Sequence, residues 1–487
     1  MSEKGNAKSG KMLKVLFIRP PGNLGILTKI SSSDHPINIL YLAAYLREQG
    51  HHVRLYDMEV QPNSAKDIRH VLKRYSPDVA CISCMTPVIA TGHKIASIIK
   101  RHSKGILTVV GGAHVTAIPE ETMDSFPDFD VGVVGEGELT LAEICERFSS
   151  QRDCGNTKGI EGTVYRNGKK VVLAPPRQLI TDLDSLPFPA RDLLDFEAYR
   201  GGSKSGISHS KYRITQIFTS RGCPFMCTFC AIHLTSHRRV RFRSVDDIVA
   251  EIKACMDKYG INHFCIHDDT FSLKESRVAE ICSRLKELGV SWDCDTRVDT
   301  ITEKMIKMMA DSGCKRIAFG VESGSPRILK LIKKNVTLDQ VKKAFKWTKK
   351  QGMMSCAYFI IGSHPDENLD DIEMTKRLMK EIKADIVNLA IGVPYPGTEL
   401  FDDLKRRGFL KNLKWEHYMH YNAEPVWRTE HFSPKELVNL QKSLIKEYYL
   451  RPSYIISRLV KIRSAKELGY WISSGMVTLK YLFQKKV

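Results

Sequence analysis

Short runs of Val, Ile and Leu alternate with amphipathic helical patterns in two long series, and this rhythm limits the folds open to the chain more than any other feature. The first series starts at Met12 with "KVLFI", "NILYLAAYLREQG", "HVRLYD", "AKDIRHVLKRY", "DVACIS", "GHKIASIIKRH", "ILTVVGG" and "DVGVVGEGELTLAEICERF". A strand that is apolar on both faces must be covered on both, and helices between such strands cover a parallel sheet in this way. Residues 12 to 150 therefore predict an α/β, doubly wound, Rossmann-like domain with its ligand at the C-terminal ends of the strands. The rhythm lapses over residues 151 to 210, where "GTVYRNGKKVVLAPP" predicts a hairpin turning at Asn167-Gly168 and a Pro-, Asp- and Gly-rich stretch predicts a linker. It resumes over residues 211 to 400 as six consecutive strand-helix units, the count of a partial (β/α)6 barrel. Residues 401 to 487 read as a helical, basic C-terminal region.

Lys and Arg number 74 against 55 Asp and Glu, a formal net charge of +19. This balance suits an acidic or phosphorylated partner and equally a solvated lysine-rich surface; no nucleic-acid recognition module accompanies it, and no nucleic acid is expected. The N-terminal apolar run is short and interrupted by Arg19 and two prolines, so no signal peptide is expected. No run of about 18 uncharged apolar residues occurs, so no transmembrane helix is expected either. The 13 cysteines lie mostly inside apolar patterns such as "VACISC" and "HFCIHD", which predicts reduced thiols and a cytoplasmic protein.

Three cysteines break that pattern. In "TSRGCPFMCTFCAIH", Cys223, Cys227 and Cys230 follow the first strand of the second series at CxxxC and CxxC spacings, which lets one short loop aim three thiolates at one centre. A structural zinc would take His233 as fourth ligand, although tetrahedral sites usually draw their ligand pairs from two separated segments. Three thiolates on a 4Fe-4S cluster leave one iron open for a substrate or cosubstrate.

The CxxxCxxC motif, with the aromatic Phe229 before its last cysteine, resembles the signature of the radical S-adenosylmethionine superfamily. The resemblance implies that the open iron chelates S-adenosylmethionine and that one electron cleaves it to a 5′-deoxyadenosyl radical. It further implies roles at successive strand ends. Glu322 and Ser323 of "GVESG" would lie by the ribose or methionyl end, Gly362 of "FIIGSHP" by the adenine, and Tyr395 of "GVPYPGTEL" over the site. Arg297 of "CDTRVD" would bind the cosubstrate carboxylate in a bidentate way. The family's GGE-like segment reads "HDDTF" here, so Asp268 or Asp269 would hold the amino group. A plainer reading makes Asp269-Thr270 and Gly324-Ser325-Pro326 helix starts.

The first domain lacks GxGxxG, and "GNAKSGK" at residues 5 to 11 matches GxxxxGK only as a chance occurrence ahead of the first strand. Gly111, Gly112, Gly135 and Gly137 either let backbone approach a large flat ligand or simply make tight turns. The order of segments, followed by the cysteine motif, resembles the cobalamin-dependent radical S-adenosylmethionine enzymes over about residues 12 to 400. This likeness implies cobalamin contacts at Asn23, Ser83 and Gly112. Asp34-His35 stands in "DHPIN", which lacks the DxHxxG form, so the likeness implies a cobalamin without a lower histidine from that motif and a cobalt that more readily accepts methyl.

Methylation of an unactivated carbon is the activity so implied. Oxidative cyclisation or rearrangement is the alternative, since "GVPYPGTELFDDLKRRG" also resembles the anaerobic magnesium-protoporphyrin monomethyl ester cyclase. A cobalamin or iron-sulfur sensor without turnover is a reading from another class. The expected partners are a small-molecule substrate, with lipid and tetrapyrrole among the classes considered, and an electron donor such as flavodoxin or ferredoxin. The tail from Tyr448 interleaves Arg and Lys with Tyr, Trp, Ile and Leu, which reads as a helical lid packed on the barrel or as an amphipathic segment in peripheral contact with an anionic membrane.

Overall fold

The computed structural model describes residues 11–22, 34–151, 153, 157–199, 212–411, 414–420, 425–460 and 465–483. Asn23 and most of the segment at residues 5 to 11 lie outside them. The chain divides into two compact units, one built mainly from residues 36–181 and the other mainly from residues 196–487.

The first unit is a seven-stranded sheet. Its strands are β1 (Lys14–Arg19), β2 (His52–Asp57), β3 (Val79–Ser83), β4 (Leu107–Gly111), β5 (Val131–Val133), β6 (Thr163–Asn167) and β7 (Lys170–Leu173), in the spatial order β2-β1-β3-β4-β5-β6-β7. The first five are parallel. The chain leaves β1 for one side of the sheet and returns through β3 to the other, so the strand order reverses between β1 and β3, where doubly wound folds bind ligands. Helices start where the sequence supplies caps. Ser64 and Asp67 form a reciprocal capping box ahead of helix Ala65–Tyr75, whose Ile68, Leu72 and Tyr75 turn inward. The hairpin expected in the connecting segment forms at Asn167-Gly168, with Gly168 at φ 63°, but it extends the first sheet: β6 pairs antiparallel with β5 and β7 with β6.

The second unit carries six parallel strands in sequential order: β8 (Ile214–Ile217), β11 (His263–Ile266), β12 (Ser291–Arg297), β13 (Cys314–Glu322), β14 (Met354–Ile361) and β15 (Ile386–Ile391). A short antiparallel pair, β9 (Ser220–Arg221) and β10 (Arg241–Phe242), flanks the cysteine loop. Six strands of one sheet, each joined to the next through helix, are the partial (β/α)6 barrel expected from the sequence.

Side chains alternate along these strands. Phe264, Ile266, Trp292, Cys294, Ile317, Phe319, Ala357 and Phe359 join the apolar core. The intervening positions are polar: His263 and Cys265, Asp293 and Asp295, Arg316, Tyr358 and Asn388. Asp293 is buried between Arg316, at 2.7 Å, and His263, at 2.9 Å. Burial alone would raise the Asp293 carboxyl, but the Arg316 charge and the His263 hydrogen bond outweigh it and hold it well below the usual carboxylate range.

The C-terminal region is helical, as expected, and its Leu437, Leu444, Ile445, Tyr448 and Tyr454 pack into the barrel core. Gln441 of helix Pro434–Tyr449 donates to the Leu389 carbonyl at 2.8 Å, which sets that helix along the edge strand β15. Tyr448 and Tyr454 donate to the carbonyls of Ala384 and Asp385, at 2.6 and 2.9 Å, just ahead of the start of β15. No helix among the described residues is long and apolar enough to cross a membrane.

Candidate active site

Every site residue expected in the second unit lies at or just beyond the C-terminal end of a strand. The cysteine loop follows β8 and β9, Asp268 and Asp269 follow β11, Arg297 ends β12, Glu322 ends β13, Gly362 follows β14, and Tyr395 lies four residues past the end of β15.

The loop is anchored before it begins. Asp268 accepts four hydrogen bonds: from the Thr219 and Ser220 backbone N–H at 2.7 and 3.1 Å, and from their hydroxyls at 2.5 and 2.7 Å. Its oxygens are therefore committed, which leaves the neighbouring Asp269 as the available carboxylate. Asp269 accepts one bond, from the Gly222 N–H at 3.1 Å. It keeps an exposed surface although protein crowds it closely, as at the wall of a concavity; burial pushes its carboxyl up to about 6, against the Gly222 bond and with the Asp268 charge adding to the rise. Neither aspartate caps a helix. The plainer reading does hold at Ser325, whose hydroxyl accepts from the Ile328 N–H at the start of helix Pro326–Leu331.

Cys230 and Cys227 close a tight turn, the N–H of one donating to the carbonyl of the other at 3.1 Å, and the Cys223 sulfur lies 3.8 Å from the Thr270 hydroxyl. Among the described residues His263, Cys265 and Asp293 bring three potential ligand atoms within 4.8 Å of one another. His233 turns Nδ1 to the Cys230 carbonyl at 2.9 Å and has the place of a turn residue. The His263, Cys265 and Asp293 group is an unsuitable metal site, because the Arg316 guanidinium occupies one Asp293 oxygen and His263 and Cys265 both bond the other.

The charge around the sulfurs comes from Arg297 and Glu322, both expected at the site, and from Lys334, which no motif marks. Arg297 reaches Cys227 with Nη1 at 3.6 Å, lies over the Phe225 ring at 3.7 Å, and bonds Asp299 through two nitrogens at 2.8 Å. Its bidentate face is thus taken by an internal carboxylate, which corrects the expectation that this face awaits the cosubstrate. Glu322 pairs with the buried Lys334 at 2.8 Å. Glu322 sits at φ 71°, a costly backbone for a residue with a Cβ, and a Cβ at Gly320 would lie 2.6 Å from its carboxylate and 2.7 Å from the Lys334 nitrogen. Gly320 is therefore what lets the ion pair fit. Ser323 is fully buried and spends its hydroxyl on Thr375 and on the Ser325 N–H. The Gly362 turn, at φ 67°, is held by the buried Glu367, which accepts from the N–H groups of Gly362 and Ser363 and whose carboxyl burial pushes up to about 8. Tyr395 places its hydroxyl 3.5 Å from His420, and Phe229 packs against the core.

Burial also raises the thiols. Cys230 is pushed up to about 11, while the rise at Cys227 is opposed by Lys334 and Arg297. Cluster assembly must therefore expel protons from these sulfurs. The expected result is a yield of anaerobic cluster assembly, followed by iron-dependent absorbance, that rises with pH over the range below about 11. A flat profile would contradict this.

At the ligand edge of the first unit, Ser83 and Gly111 end neighbouring strands in register, and Gly112 follows at φ 106°. A Cβ on Gly112 would lie 2.6 Å from the Cys84 carbonyl oxygen, so only glycine fits there. Gly135, at φ 80°, has open space where its Cβ would be, while Gly137 packs against Leu42. Of Gly112, Gly135 and Gly137, only Gly135 opens onto space; Gly112 and Gly137 are set by close approach to Cys84 and Leu42. His35 is held elsewhere: it belongs with the second unit, its Nδ1 is 3.1 Å from the Thr215 hydroxyl, and its ring packs edge-on to Phe196 and Tyr199. Gly112→Ala is expected to cost about 1–3 kcal/mol of backbone strain and to weaken cobalamin binding roughly tenfold. Absorbance titration with cobalamin checks this, and unchanged affinity would move the ligand away from Gly112.

The B12 binding domain family matches residues 24–145, and the Radical SAM superfamily matches residues 217–379. An uncharacterized methyltransferase of Pyrococcus horikoshii is 35% identical over 449 residues, which span 92% of this chain and 94% of that protein. The chain belongs to the cobalamin-binding radical S-adenosylmethionine enzymes. The cofactors of this enzyme are a 4Fe-4S cluster, S-adenosylmethionine and cobalamin. An anaerobic magnesium-protoporphyrin IX monomethyl ester cyclase of Rubrivivax gelatinosus is 26% identical to the enzyme over 485 residues, covering 97% of this chain and 84% of its own. The solved cobalamin-dependent radical enzyme OxsB, with aqua-cobalamin and S-adenosylmethionine bound, shares the fold at a TM-score of 0.72 and 18% identity, over 97% of this chain and 72% of that one.

Proposed function

We propose that the enzyme methylates an unactivated carbon of a small molecule. The observation that supports this reading is the pairing, in one chain, of a three-cysteine loop at CxxxCxxC spacing with a doubly wound unit whose strand order reverses between β1 and β3. When bound, the cluster would supply the electron that splits S-adenosylmethionine to methionine and a 5′-deoxyadenosyl radical, and cobalamin would supply the methyl group.

The protein's own part is to hold and orient. Cys223, Cys227 and Cys230 would each hold one iron of the cluster. Asp268 fixes Thr219 and Ser220 so that the loop starts in one conformation, and Asp269 offers its free oxygen to the cosubstrate ammonium. Arg297 and Lys334 place positive charge beside Cys227, which favours the anionic, metal-bound sulfur. Glu322 and the Gly362 turn provide polar and backbone groups for the remainder of the cosubstrate, and Tyr395 stands over the site. The electron donor, a flavodoxin or ferredoxin, is acidic in this reading, and His237, Arg238 and Arg239 form a basic ridge beside the loop, with Arg238 bonded to the Phe225 carbonyl at 2.8 Å.

Cyclisation or rearrangement is the second reading, favoured by the likeness to the cyclase along nearly the whole chain. Incubating the reduced enzyme with methyl-labelled S-adenosylmethionine and candidate lipid or tetrapyrrole substrates, then quantifying 5′-deoxyadenosine and S-adenosylhomocysteine, separates the two. Both products together, with label in the substrate, are expected from methyl transfer. Deoxyadenosine alone would point to the second reading.

A further inference from the structure

The C-terminal helices carry a surface that the barrel does not use. Sixteen large apolar residues are conspicuously exposed among the described residues, and nine of them fall between Leu450 and Leu479. Their spacing is regular. Leu468, Ile472, Met476 and Leu479 follow one another at helical intervals of four, four and three along helix Ala465–Phe483, which puts them on one face. Ile455, Ile456, Leu459 and Val460 do the same on and just after helix Pro452–Leu459, with Ile456 at 60% and Val460 at 71% exposure.

This face is not loose structure awaiting a place on the barrel, because both helices are already fixed by other residues. Tyr454 is buried, and Arg458 pairs with Asp385 beneath β15. Tyr481 is buried and donates to Gln441 at 2.7 Å. The apolar stripes are what remains exposed after this docking.

The charge of the same segment names the occupant. From Leu450 to Val487 the sequence holds eight Lys and Arg and one Glu. A protein partner's apolar groove would be matched by an uncharged rim as well as by a charged one, whereas apolar stripes on short helices amid such one-signed charge fit the interface of an anionic bilayer. We propose that the helices Pro452–Leu459 and Ala465–Phe483 form a membrane-binding surface that seats their apolar stripes at the acyl boundary and sets the exposed Lys480 among anionic headgroups. The inference is independent of whether the reaction is methylation or cyclisation.

The test is cosedimentation of the full-length, cofactor-loaded enzyme with vesicles of phosphatidylcholine alone and of phosphatidylcholine with phosphatidylglycerol. The wild type is expected to sediment with the anionic vesicles, to be released by high salt, and to bind the neutral vesicles at least about tenfold less. The triple variant I456E/I472E/M476E changes exposed positions only and is expected to lose at least about tenfold of that binding while keeping its iron and cobalamin content. K480E, a separate variant at an exposed lysine, is expected to weaken binding to anionic vesicles only. Absence of sedimentation, equal binding to both vesicle types, or undiminished binding of the triple variant would overturn the proposal. So would a concentration-dependent dimer that forms without vesicles and dissociates in the triple variant, since the stripes would then be a surface between copies of this chain.

Discussion

Cys227→Ala is expected to abolish the iron-sulfur cluster and to reduce 5′-deoxyadenosine formation to background. Cys227 is the sulfur on which the local positive charge converges, from Arg297 at 3.6 Å and from Lys334. Two remaining cysteines cannot hold a cluster that needs three protein ligands and an open iron. The first unit has its own sheet and core, so the variant is expected to remain folded there and to bind cobalamin as the wild type does. Iron and sulfide analysis, cobalamin titration and product quantification on one preparation check all three statements. A variant that retained its iron and its cleavage activity would show that the loop is not the ligand set.

The largest effect on folding is expected at Asp293. Asp293→Leu leaves Arg316, only 4% exposed, with Asp295 at 3.3 Å as its remaining carboxylate and removes the partner of His263 Nε2, whose Nδ1 keeps the Ser291 hydroxyl. Breaking a buried ion pair from one side costs about 3–5 kcal/mol. The second unit is therefore expected to melt on the order of 10 °C lower. The double variant D293L/R316M removes both charges and is expected to recover much of that loss. The pH dependence follows the same pair. Because the folded Asp293 carboxyl is held below its unfolded value, its contribution is complete above the ordinary carboxylate range and is lost as pH falls toward the folded value, so the difference between wild type and variant should be constant near neutrality and shrink only in acid. A single variant as stable as the wild type would contradict the network's role.

The fold was legible because strand and helix periods differ and because the strands of both units bury at least one face completely. "SWDCDTR" shows why the barrel interior was harder to read. Trp292, Cys294 and Thr296 alternate with Asp293, Asp295 and Arg297, so the polar face was present in the sequence as a period of two within what reads as an irregular strand. The hairpin at Asn167-Gly168 was visible from its turn residues, but turn chemistry is local and does not report which sheet a hairpin joins.

At the site, the cysteines and the strand-end positions were legible because short-range spacing carries them. Their division of labour was not. Asp268 and Asp269 are equivalent in sequence, and only the four donors of Thr219 and Ser220 distinguish the anchor from the available carboxylate. Arg297 gave no sign that Asp299, two residues away, takes its bidentate face. Lys334 and Glu367 stand in segments without a motif and act through contacts to Glu322 and to the Gly362 turn that no local pattern encodes.

The most direct test of the central claim is anaerobic reconstitution of the full chain with iron, sulfide and cobalamin, followed by metal and corrinoid analysis and by reduction in the presence of S-adenosylmethionine. The expected result is about four irons, no zinc and one cobalamin per chain, with 5′-deoxyadenosine released on reduction. One zinc without iron, or both cofactors bound with S-adenosylmethionine left intact after reduction, would contradict it: the first would make the cysteine loop a structural metal site, and the second would make the protein a sensor.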